Sequence, residues 1–369
     1  MARTGSRVVL NLTGADNMKH VEPGDAIAHL RSFQGGIETS MLRGKVSTAY
    51  TVIEPLAGVD PNFYRWVFKS SAFISTLAAG VQSLRDGQSI KFADFATIDL
   101  PRPPIEEQRR VADFLDDRVS RIDRIITARR EQASLVALQA TAGIQEIFDA
   151  SAKRYGLIRL GYILRRMEQG WSPQADAQPA DDHEWGVMRS GCVNSGYFQA
   201  ADNKRLPPNL DPVVKYEIRG GDLLMSRASG SLDLIGSVAV VPGEVRKRLL
   251  LCDKLYRLTP EPNWSSEFLA PMLRSRGNRD RIRLGVSGAE GMANNLPSGV
   301  IRDLRVPAAP LAGQVEVVER ARGLTQKTES IQSDISRSID LIAEYKTSLI
   351  TAAVTGELDV TTAGSNIPG

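Results

Sequence analysis

The sequence is poor in cysteine and histidine and contains no long apolar run. Two cysteines, Cys192 and Cys252, are too few for a disulfide framework. The three histidines, His20, His29 and His183, stand apart, with no Cys/His spacing that suggests zinc. No run of 18 apolar residues exists, which excludes a membrane-spanning helix. The start, Met1-Ala2-Arg3-Thr4-Gly5-Ser6-Arg7, leads only into Val8-Val9-Leu10, too short for the apolar core of a signal peptide. Neither charge dominates: 46 Lys+Arg face 43 Asp+Glu, a net charge of +3. A polycation or a disordered acidic tail is thereby ruled out for the whole chain. Gly285, Gly288 and Gly291 match neither a dinucleotide nor a phosphate-loop spacing and read as a flexible turn region. What remains is a soluble cytoplasmic protein with two buried thiols.

The chain's 369 residues, 42% of them apolar, suffice for two or three domains with real cores. Charge is unevenly spread. Residues 151–305 carry 23 basic and 17 acidic side chains, while 306–369 carry 5 and 8. Chance fluctuation is one account; a central block that faces a polyanion is the other.

Two segments have the pattern of long helices. From Ile105 to about Phe148 there is no proline and one glycine, Gly143. Apolar residues at Val111, Leu115, Ile122, Ile126, Ala133, Val136, Ala140, Ile144 and Ile147 make one narrow stripe. From Leu311 to about Thr355 the stripe is Val315, Val318, Leu324, Ile331, Ile335, Ile342, Tyr345 and Leu349. Each helix is then on the order of 60 Å long. A helix of that length with one thin apolar stripe needs a partner, and the economical partner is the other.

The helices begin alike. Leu100-Pro101-Arg102-Pro103-Pro104 precedes the first and Val306-Pro307-Ala308-Ala309-Pro310 the second. Pro101 and Pro307, Pro104 and Pro310, and Gln108 and Gln314 are each 206 residues apart, the mark of an internal repeat. Proline at or before a first helical turn fixes the angle at which the chain enters. Ahead of each helix lies a mixed segment with short β-type runs. Pro23-Gly24-Asp25-Ala26-Ile27 matches Gly220-Gly221-Asp222-Leu223-Leu224, and Phe63 to Val67 matches Phe268 to Met272 at an offset of 205.

These ordered duplications resemble the specificity subunits of type I restriction-modification systems. The resemblance rests on the proline-rich helix starts, on Tyr345 to Asp359 near the C-terminus, and on Glu168-Gln169-Gly170-Trp171-Ser172-Pro173 as the opening of a target-recognition domain. It implies an α+β fold: two mixed α/β target-recognition domains separated by two long helices that pair as an antiparallel coiled coil. The expected division is 1–104, first recognition domain; 105–150, first helix; 151–306, second recognition domain; 307–360, second helix; 361–369, flexible tail. The first recognition domain is expected to be truncated, since its Gly-Asp turn comes after only 22 residues and the Gly-Trp-Ser-Pro opening has no counterpart.

The resemblance also implies the function. Each recognition domain reads half of a bipartite duplex DNA target, the helices set the spacer, and methyltransferase subunits, two of them, dock there. Restriction/translocase subunits complete the assembly. The chain holds no catalytic residue and no cofactor; S-adenosylmethionine, ATP and Mg²⁺ belong to the partner subunits. The missing Asn/Asp-Pro-Pro-Tyr/Phe element agrees with that division of labour. Alternatives are a coiled-coil interaction adaptor and a truncated, non-functional specificity subunit.

Candidate DNA contacts follow from loops held by a scaffold and from clustered cations. Arg31 and Gln34 lie after the first Gly-Asp turn; Arg227 and Ser229 lie after the second. Lys204, Arg205, Arg274, Arg276 and Arg279 are phosphate or solvent contacts, alongside Arg246-Lys247-Arg248, Arg281 and Arg283. Gln108, Leu115, Ile122, Gln314, Ile335 and Ile342 mark the helix faces expected to carry partner contacts. Trp171 and Trp185 read as core residues before base-stacking ones. Glu344-Tyr345-Lys346 mimics a nuclease element but sits on the helix, where a solvated face is the plainer account.

Overall fold

The computed structural model describes residues 18–29, 32–80, 95–194, 196–286 and 294–363. The fold is α+β. The chain divides into two compact units, Met1–Ala133 with Ser333–Gly369, and Ser134–Gln332. Both long helices are present and unbroken, Ile105–Tyr155 and Leu311–Thr355, the first running several residues past Phe148.

In the unit that contains Ala133, the first half of the first helix packs on the last half of the second. Val111, Leu115, Val119, Ile122 and Ile126 share a core with Leu349, Ile350, Ala353 and Val354, and Lys346 Nζ reaches Asp123 Oδ1 at 2.7 Å. In the other unit the remaining halves meet. Ile144, Ile147 and Phe148 pack with Val317, Ala321 and Leu324, and Arg154 pairs with Glu316 at 3.1 Å. Rising numbers on one helix meet falling numbers on the other, so the pairing is antiparallel.

The inner stripe of the second helix runs Val317, Ala321, Leu324, Ile331 and Ile335, in heptad-type steps of three, four or seven. Two residues of the sequence-derived stripe fall outside it. Val315 is 57% exposed, because two residues turn a helix by about 200° and point it away from the face of Val317. Tyr345 is exposed at the border, and Lys346 takes the inner place to reach Asp123. That ion pair also assigns Lys346 a structural partner.

Gly143 explains itself at this seam. A Cβ there would lie 2.7 Å from Leu324 Cδ2, so the end of that leucine would have to shift to admit a side chain.

The repeat is carried into three dimensions by two small sheets. In one unit Ala26–Ala28 lies between Glu38–Thr39 and Thr51–Ile53; in the other Leu223–Ser226 lies between Val238–Val240 and Leu255–Pro260, all antiparallel. Each central strand follows the same turn. Gly24 and Gly221 sit at φ +99° and +86°, where a side chain is strained, and the next aspartate folds back. Asp25 Oδ2 accepts from Glu22 N–H at 2.8 Å and Asp222 Oδ2 from Arg219 N–H at 3.0 Å. The second sheet has a fourth strand, Leu164–Gln169, on Leu255–Pro260. A separate three-stranded sheet, Leu249–Leu250, Gly186–Met188 and Asn203–Arg205, stands over a second core that takes up both cysteines. Trp171 and Trp185 pack against that core.

A buried glutamine amide joins each globular part to its helix. Gln108 Oε1 accepts from Asp60 N–H at 2.9 Å, while Nε2 donates to Pro103 O at 2.8 Å and Gly58 O at 3.4 Å. Gln314 repeats the arrangement with Ser265 N–H at 2.9 Å, Asn263 O at 2.9 Å and Ala309 O at 3.0 Å. Asp60 and Ser265 are the N-cap residues of Pro61–Val67 and Ser266–Leu273. Those helices place Phe63 and Phe268, both fully buried, in their respective cores. Replacing either amide strands several buried polar groups. Gln108→Ala and Gln314→Ala should each lower the unfolding free energy by about 2–4 kcal/mol, read as an earlier urea midpoint.

Candidate nucleic-acid interface

The basic block of the second globular part is largely built into its own scaffold. Arginine presents five donors and no acceptor, so it can tie several carbonyls at once. Arg274 donates through Nη2 to Gly196 O and Val238 O at 2.5 and 3.4 Å, and its burial lowers its pKa from the ordinary arginine value. Arg279 donates to the carbonyls of Leu232, Asp233 and Ile235 at 2.6–3.1 Å. Arg205 grips Asp176 Oδ2 through Nε and Nη2 at 2.9 and 2.8 Å. Arg246 serves the carbonyls of Ala180, Asp181 and Glu184.

Arg257 was not among the sequence candidates, yet it is the most deeply placed of these cations, 8% exposed. It lies 3.3 Å from Glu168 and 3.1 Å from Asp222 and donates to Glu217 O and Lys215 O. It therefore bolts the Glu168-Gln169-Gly170 opening to the Gly-Asp turn. Its sequence signal was an arginine inside the apolar run Leu255-Tyr256-Arg257-Leu258, where a charge is tolerated only with partners.

Arg227 and Ser229 begin the loop after the second sheet's central strand. Arg227 is half-buried: its guanidinium lies over the Tyr256 ring, and Nε donates to Tyr256 Oη at 3.2 Å. Ser229 Oγ accepts from Ser231 N–H at 3.1 Å. Ala228–Ser229 pairs with Asn294–Asn295, which brings two amide side chains beside the loop. Lys204 and Arg276 are exposed, and so are Arg219, Lys247 and Arg281.

In the other unit Gln34 is exposed on the short helix Ser32–Gly35. Arg31 lies outside the described residues, as do Gly288 and Gly291; Gly285 ends the helix Arg276–Gly285. The six helix residues expected to carry partner contacts are turned to the interior. Gln108, Leu115, Ile122, Gln314 and Ile335 are buried and Ile342 is half-buried against a core. The outward faces instead display Leu135, Leu138 and Leu341, each at least 60% exposed.

Among the described residues no cluster of three or more His, Cys, Asp or Glu could hold a metal ion, and no helix is long and apolar enough to cross a membrane. The two thiols are buried, and burial raises both pKa values, that of Cys252 to about 11. They are inert at neutral pH.

No family model matches the chain. In sequence it is similar to the EcoEI specificity subunit of the type I restriction enzyme of Escherichia coli, 26% identical over 177 residues, 47% of this chain and 30% of that one. It is also similar to the EcoKI specificity subunit of Escherichia coli strain K12, 24% identical over 322 residues, 83% of this chain and 68% of that one. The chain thus spans less than a third of the first relative and about two thirds of the second. Its fold is shared with a chain solved in work on complex assembly and conformational transition of the type I R-M system, with a TM-score of 0.68 and 18% identity over 92% of this chain and 84% of that one.

The adjacent roles of Arg274 and Arg276 give a direct check. Arg274→Ala should cost about 1.5–3 kcal/mol in thermal or urea unfolding, whereas Arg276→Ala should stay within about 0.5 kcal/mol of the parent.

Proposed function

We propose that this chain is the DNA-reading and scaffolding subunit of a type I restriction-modification assembly. One observation carries the reading: the same scaffold, a Gly-Asp turn, a central strand between two antiparallel neighbours and a glutamine lock, occurs twice, each copy ahead of a long helix. A duplicated reader fitted to one chain suits a target in two halves. Each globular part reads one half-site, and the paired helices set the gap between them.

Phosphate contacts come from the exposed cations. Lys204 and Arg276 are the foremost of these in the second reader. In the first, the exposed amide of Gln34 is a DNA contact, and Arg31 is one by its place in the sequence after the Gly-Asp turn. Base edges are met by the loop that opens with Arg227 and Ser229. The helices dock two methyltransferase subunits, and restriction/translocase subunits join them. The exposed Leu135, Leu138 and Leu341 support such docking, since aliphatic side chains on a helix exterior favour a covering surface. The chemistry and its cofactors, S-adenosylmethionine, ATP and Mg²⁺, reside on the partners, and this chain contributes no catalytic residue.

Binding of target duplex by the chain with its methyltransferase should weaken steeply as salt rises. Lys204→Ala and Arg276→Ala should each reduce the slope of log affinity against log salt by about one. Affinity independent of salt would defeat the proposal. One heptad inserted in both helices should alter the gap between methylated half-sites and leave the half-sites unchanged; an unaltered gap in methylome sequencing would defeat the spacer role.

A further inference from the structure

The loop Ser229–Ile235 is fixed from within and from behind by hydrogen bonds. Ser229 Oγ accepts from Ser231 N–H, Ser231 Oγ accepts from Asp233 N–H at 3.3 Å, and the amides of Leu234 and Ile235 both donate to Ser231 O at 3.2 Å. From behind, Arg279 gathers the carbonyls of Leu232, Asp233 and Ile235, and Arg283 pairs with Asp233 at 2.8 Å. Ile235 anchors the loop in the core, fully buried.

The outward consequence is an apolar tip. Leu232 and Leu234 are 48% and 37% exposed, and Leu284, on the helix that carries Arg279, is 89% exposed. The exposed Arg283 guanidinium stands at the same loop through its pair with Asp233. Aliphatic side chains held in water beside a cation suit a surface that is polyanionic yet offers apolar groups. In the major groove of duplex DNA those groups are the C5 methyls of thymine.

Resting on the DNA-reading function above, we infer that Leu232 and Leu234 read thymine methyl groups in one half-site. Arg279 acts as the positioning residue that presents them and touches no DNA itself.

The test uses the full chain with its methyltransferase subunits on target duplex, with deoxyuridine replacing thymidine one position at a time. At one or more positions within a single half-site, loss of the methyl should weaken binding about fourfold, the worth of one buried methyl. Leu232→Ala or Leu234→Ala should bind the thymine and uracil duplexes equally. Arg279→Gln should likewise bring the thymine-to-uracil ratio toward one while leaving the salt slope unchanged, which loss of a phosphate contact would not do. Three results overturn the inference while the DNA-reading function stands: sequence-specific binding indifferent to every thymine methyl, leucine variants that keep the parent ratio, or leucine variants that lose the methyltransferase instead. Absence of any sequence-specific binding would remove the function itself, and this inference with it.

Discussion

The rest of the structure depends on a primary amide buried at the first turn of each long helix. An amide has two donors and a strong acceptor, and in Gln108 and Gln314 all are engaged by backbone groups. The partners are the N-cap residue of a short helix, a carbonyl two residues before it and a carbonyl just ahead of the long helix, so one side chain joins two stretches of chain some 50 residues apart. Such a network is strong because its alternative is costly: buried backbone groups without partners lose more than a hydrogen bond gains.

From that lock the division of labour among arginines follows. A small globular part with short strands has little regular pairing, and many loop carbonyls need donors. Arginine supplies them in groups, as Arg246, Arg274 and Arg279 do, and Arg257 ties two acidic side chains into the same frame. A basic composition therefore divides into internal fastenings and an exposed remainder. Only the remainder is available to a polyanion.

How much was legible in the sequence follows from which forces act locally. The long helices, their antiparallel pairing and the doubled architecture were readable, because heptad spacing and shared offsets are written along one dimension. Gln108 and Gln314 were visible as a repeat, but their burial was not, since it depends on Asp60 and Ser265 some 50 residues earlier. The placing of Val315 and Tyr345 in the stripe missed by a fraction of a turn, a distinction decided by the facing helix. The arginines were the least readable. Arg274 and Arg276 are two residues apart and similar in context, yet one is enclosed and the other exposed. Carbonyls from distant loops make that difference, and no local pattern records them.

Gly143 against Leu324 has a meaning beyond close packing. A heptad seam of similar aliphatic residues is nearly periodic, so sliding one helix by seven residues costs little in burial alone. The notch breaks that degeneracy. Slipped by one heptad, Leu324 would face Val136 or Ala150 rather than the gap at Gly143, and its end would have to move aside. The pair therefore carries an index mark, a local bias toward one setting among several that hydrophobicity would accept.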